Sequence, residues 1–250
     1  MHRKTAPLFL LMLLSTTILY AQFAKGDKMT GASVASAFFN SGTSDQTVTS
    51  IGNVTAKVTG FGLTVSPELG WFISNKTAVG AVLNINPSGE KTSYQGSSGN
   101  TFQQNKTNNF NIGIGGFIRH YLGNDGSFIP FGQFGLNAGI SSATIDKFFY
   151  GGSGAGVYKE TENGKSSGGF FANSTFRLGL TKMVGEHTGL DIFLGYNFNY
   201  SKNTFKTTKL RDDGNNGSID TRSENETLTK FTNHGVILGL GLQVFLRGKK

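Results

Sequence analysis

The sequence contains no cysteine. Its absence removes disulfide cross-links, thiolate nucleophiles and cysteine-based metal sites together. Long apolar runs are missing too: beyond Tyr20 no stretch approaches the roughly 20 apolar residues that a membrane-crossing helix needs. Acids are in deficit, with 15 Asp+Glu against 23 Lys+Arg. The excess base is scattered or sits at strand ends, with no basic helix and no patch interleaved with aromatics, so nucleic-acid binding is not expected. Proline is scarce at 4 residues, whereas glycine reaches 36 and phenylalanine 22. That balance suits many close-packed strands girdled by aromatic rings.

What the chain does contain begins with a basic Arg3-Lys4, an apolar stretch from Pro7 to Tyr20 and a small Ala21. This is the pattern of a secretory signal peptide cut after Ala21. Residues 1–21 carry two basic groups and no acid, so the remaining 22–250 hold 21 basic and 15 acidic residues, a net of +6. A length of about 230 residues fits a single β-domain.

Residues 60–85 set the plan for the rest. Phe61, Leu63, Val65, Pro67, Leu69, Trp71 and Ile73 are apolar, while Gly62, Thr64, Ser66, Glu68 and Gly70 between them are small or polar. A period of two means strand. A break at Ser74-Asn75-Lys76 marks a tight turn, after which Val79, Ala81, Leu83 and Ile85 resume the pattern. Each arm supplies the 9–11 alternating residues of a transmembrane β-strand. The same alternation recurs at 109–119, 128–140, 173–181, 190–200 and 235–246, and more weakly at 30–39. The strands are joined alternately by polar loops (residues 41–56, 87–106, 141–168 and 202–229) and by short turns near 74–76, 123–126 and 185–187. The reading is an all-β, antiparallel up-and-down transmembrane barrel of about eight strands, with long loops outside and short turns in the periplasm. Eight strands enclose an interior just wide enough for side chains to fill.

Within these strands the full charges are Glu68, Arg119, Arg177 and Asp191, each in the polar register. An Arg facing lipid at mid-bilayer costs about 2–4 kcal/mol, so all four are expected inside, as a cluster in the periplasmic half of the lumen with structural or gating weight. Two positive and two negative groups neutralise one another there.

The segments SPELGWFISNKTAVGAV from Ser66, GGFIRHYL, FIPFGQFGLNAG, and FRLGLTKMVGEHTGLDIFLGYNF from Phe176 resemble motifs of small Gram-negative outer-membrane β-barrel proteins, the OmpA/OmpX-like and PorT-like barrel-domain group. The chain departs from that group's usual residues at Trp71, Gly116-Phe117 and Lys182-Met183. The resemblance implies an outer-membrane location and an adhesion, envelope-integrity or secretion-accessory role, without fixing an activity.

Chemistry-bearing motifs are thin. Gly164-Lys165-Ser166 has the ending of a phosphate loop, but Lys159 stands where its first glycine is required. Residues 212–224 place Asp212, Asn216, Gly217, Ile219 and Asp220 near calcium-loop offsets, with Glu224 one position late. His120, His187 and His234 have no metal-ligand spacing. The glycine runs at Gly113 and Gly239 suit a crowded barrel wall better than a dinucleotide. The expectation is a non-enzymatic monomer without cofactor, seated in outer-membrane lipid and offering its loops and turns to an extracellular ligand or periplasmic protein. A narrow pore for ions or small solutes is the first alternative. A lipid- or peptide-acting hydrolase, with His234 as the residue to watch, is the second, and a secreted β-sandwich the third.

Overall fold

The computed structural model describes residues 23–48, 52–123, 126–152, 157–166 and 168–248. The predicted signal peptide, with its cut after Ala21, lies outside the described residues. Nine strand segments follow one another: β1 (Lys28–Val48), β2 (Gly52–Phe72), β3 (Thr77–Gln95), β4 (Thr101–Tyr121), β5 (Phe128–Gly151), β6 (Tyr158–Ser166), β7 (Gly169–Met183), β8 (Thr188–Asp213) and β9 (Thr221–Leu246). Every ladder is antiparallel, and pairing of β1 with β9 closes the sheet into a barrel. β6 and β7 both pair with β5 on one side and β8 on the other. They are two pieces of one stave, β6 ending at Ser166 and β7 starting at Gly169, with Gly168 just before β7 at a positive φ of 75°. The nine segments therefore build an eight-stave, up-and-down barrel.

Alternation decides which face each residue takes. On β2, Leu69 is 43% exposed and its neighbour Glu68 only 3%. The outward register carries one row across seven staves, Trp71, Val79, Ile118, Phe134, Phe176, Tyr196 and Val236, each opposite the next. Soluble surfaces rarely expose a contiguous apolar patch beyond a few hundred Å². A belt encircling the molecule is the surface a barrel presents to hydrocarbon, and closing the sheet satisfies its backbone groups there.

Two features differ from the sequence-based expectation, and a third concerns how the barrel closes. The polar segments expected as loops are mostly strand: β3 runs on to Gln95 and β4 starts at Thr101, and β8 and β9 pair up to Arg211 opposite Thr221. The backbone ladder continues past the belt, but with water on both faces nothing enforces apolar alternation. Segment 141–168 likewise holds the end of β5 and all of β6. Finally, the β1–β9 ladder is short, from Lys28 opposite Leu246 to Val34 opposite Leu240. It stops at a register shift between Val34 and Ser36, while β1 continues on β2 and β9 on β8.

Candidate functional site

The barrel interior divides into a closed base on the short-turn side and an open well above it. In the base, strand register brings Arg119, Gln133 and Arg177 into one inward row on β4, β5 and β7. Glu68 and Asp191 reach the row from β2 and β8. Arg119 donates from Nη1 to Asp191 Oδ2 at 2.8 Å, from Nη2 to Glu68 Oε2 at 3.3 Å and from Nε to Gln133 Oε1 at 2.6 Å. Arg177 Nη1 donates to Glu68 Oε1 at 2.8 Å and to Ser33 Oγ at 3.2 Å. Asp191 also accepts from Thr181 Oγ1 at 2.6 Å and Gln243 Nε2 at 3.3 Å. The four charges sum to zero, and the side chains of Glu68, Arg119 and Asp191 have no exposure. Residues from seven of the eight staves join this one network.

Beneath the network lies an apolar plug. The Phe23 ring stands 4.9 Å from Phe72, 4.6 Å from Tyr121 and 4.8 Å from Phe245. Met29, Ile129 and Met183 pack with it, all buried. The two layers are tied together: the Arg119 guanidinium sits 4.3 Å from the Phe131 ring centre, Arg177 sits 4.7 Å from that of Phe193, and Arg119 donates to the Tyr121 hydroxyl at 3.3 Å. Inward glycines make room for the rings. A methyl group at Gly239 would overlap Phe193, and one at Gly179 would approach Phe131 to 2.7 Å.

Sequence reasoning missed this plug. Its signal was present: Phe72, Tyr121 and Phe245 occupy the inward register right beside a short turn or the end of β9, where a polar residue is the default.

Above the network the interior opens into a cavity of about 450 Å³ with Arg177 in its floor. Ten of its 21 lining residues are asparagines. Asn137, Asn173, Asn199 and Asn233 form a continuous cross-strand row on β5, β7, β8 and β9. Asn86 and Asn111 face each other on β3 and β4. Part of their hydrogen-bonding capacity is used within the wall: Asn111 Nδ2 donates to Asn86 Oδ1 at 3.4 Å, Asn137 Nδ2 to Asn173 Oδ1 at 3.3 Å, and Asn173 Nδ2 to Asn197 Oδ1. The expectation of a lumen filled by side chains therefore fails here. Asparagine is short, and the staves carry it where a plug would need aromatic rings.

The remaining sequence candidates lie elsewhere. Gly164, Lys165 and Ser166 are extended in β6, and Ser166 Oγ accepts the Ala143 N–H at 2.8 Å, so no phosphate loop forms. Asp212 spends its carboxylate on its own turn, accepting the N–H of Asn216 at 3.0 Å and of Gly217 at 2.8 Å, and Glu224 is paired with Arg222 at 2.6 Å. The calcium-loop offsets therefore do not converge, and among the described residues no group of three or more acids and histidines is placed to hold a metal. His120 meets the Thr77 hydroxyl at 3.0 Å, and the His187 carbonyl accepts the Phe245 N–H at 2.7 Å. His234 is exposed on the outer face, where its ring nitrogen pairs with the Tyr196 hydroxyl. Gly113 lies close to Phe171, as a crowded wall requires.

No protein-family model matches the sequence, and no curated protein matches it. Among solved structures, the chain is similar to the outer membrane protein OprG from Pseudomonas aeruginosa, at 14% identity over 91% of this chain and 99% of that one, with a TM-score of 0.36. It is also similar to Neisserial surface protein A, at 17% identity over 88% and 99% with a TM-score of 0.36. A third similarity is to the outer membrane protein AlkL, at 14% identity over 93% and 96% with a TM-score of 0.29.

Proposed function

We propose that this chain is a non-conducting outer-membrane barrel, exported by its N-terminal segment and anchored in lipid by its apolar belt, which presents a recognition surface to the outside. The carrying observation is the contrast between the barrel's two ends. The short-turn end is closed by a neutral ion network over an aromatic plug. The opposite end holds an open polar well beneath hairpins that rise past the belt. A pore needs a wet path, whereas Glu68, Arg119 and Asp191 are wholly enclosed. The network joins staves that the sheet alone links only to their immediate neighbours, which suits a rigid pedestal for the hairpins. Loops and extensions carried on such a scaffold are where binding residues concentrate.

The test is envelope fractionation, a comparison of unboiled and boiled protein on a denaturing gel, and protease shaving of intact cells. The reading expects a membrane-bound band that shifts on boiling and cleavage at the 214–220 hairpin tip from outside. A soluble protein with no shift, or a tip cut only after lysis, would overturn it.

A further inference from the structure

The asparagine well offers a chemistry that anchoring does not need. A lumen meant only to be filled would carry bulk, as the base does, or lysines and carboxylates in contact with water. Here, among the described residues, Arg177 is the one charged residue lining the cavity, and its Nη1 is already committed to Glu68. Primary amides dominate the wall, each holding two donors and one acceptor oxygen in fixed positions. The cross-strand bonds among Asn137, Asn173 and Asn197 hold several of these amides in place, so little side-chain freedom is left to lose on binding.

The unsatisfied atoms narrow the class further. The Oδ1 atoms of Asn137 and Asn203 and the Nε of Arg177, all in residues lining the well, are buried without a hydrogen-bond partner among the described residues. A buried polar group left unpaired costs about 1–3 kcal/mol, so each oxygen calls for a donor and the Nε for an acceptor. A carboxylate or phosphate would serve the Nε but set oxygen against oxygen at both amides. Among the described residues a cation would find no carboxylate in the lining. A neutral solute bearing several hydroxyls supplies donors to the orphaned oxygens and acceptors to the amide N–H groups. At the side, the exposed ring of Phe231 offers a flat apolar face to its C–H bonds. The volume lies within the roughly 300–1,000 Å³ of ligand sites.

We infer that the well is a binding site for a neutral polyhydroxylated solute of saccharide type. This deepens the reading of an outward recognition surface and rests on it.

The test titrates sucrose, sodium glucuronate and putrescine calorimetrically into the full-length barrel in lipid nanodiscs, with Asn203→Ala and Asn199→Leu in parallel. Gel shift on boiling checks that each variant is folded. Saturable sucrose binding that weakens at least tenfold in both variants, with glucuronate and putrescine giving weaker or no signal, is the expected result. No saturable sucrose binding to folded, lipid-embedded protein overturns the site while leaving the anchored barrel intact. Undiminished binding in both folded variants, or a preference for either charged probe, overturns it equally. A chain that is soluble and shows no gel shift overturns both.

Discussion

Glu68 and Asn86 are inward residues of adjacent staves in the same barrel, yet one is sealed in an ion network and the other faces an open well. Below, side chains are large, charged or aromatic, and only about 20 Å³ is left open beside Glu68, Gln133 and Arg177. Above, they are short amides that leave about 450 Å³ free. Both layers are polar by sequence pattern, and the difference is one of bulk and commitment. Buried charges are stabilising relative to their own truncation because removing one partner strands the other. Half-hydrated amides have no such dependence. Stability should therefore concentrate in the base and tolerance in the well.

The largest test of that contrast is Arg119→Met, which strands Asp191 and leaves Glu68 with Arg177 alone. A loss of about 3–5 kcal/mol in reversible unfolding from lipid is expected, and a change under 1 kcal/mol would deny the base its role. Phe72→Ala comes next. It hollows the plug and should cost about 3 kcal/mol, at the lower end for buried aromatics, read in the same unfolding experiment. Asp212→Ala removes the acceptor for two turn N–H groups and should cost about 1 kcal/mol locally. Hydrogen exchange would speed at Asn216 and Gly217 with the global midpoint unchanged. Smallest is Asn199→Leu in the well, expected within about 0.5 kcal/mol of the parent, as for substitutions outside packed or buried-polar sites. A large loss there would erase the distinction between the two layers.

How legible this was in the sequence follows from solvent contrast. Where a strand has lipid on one side and the lumen on the other, as at Phe61 to Phe72, residues alternate and the pattern can be read directly. Where both sides see water, as at Ser88 to Gln95 or Thr221 to Asn233, alternation lapses. Polar strand then looks like loop although the ladder continues. Glu68, Arg119, Arg177 and Asp191 stood out as charges in the inward register. That Arg119 bridges both carboxylates while Arg177 reaches only Glu68 depends on distances that spacing does not carry. The plug was hidden because Phe72 and Phe245 share a residue type with the outer belt, and only register separates them. The inward asparagines were visible one by one, but their union into a row required the β5–β7–β8–β9 register.

Whether the base closes the barrel is decided by single-channel recording in planar bilayers. A closed base gives a flat trace from the parent protein. Discrete, reproducible conductance steps from the parent protein, altered when Arg119 or Arg177 is neutralised, would contradict it.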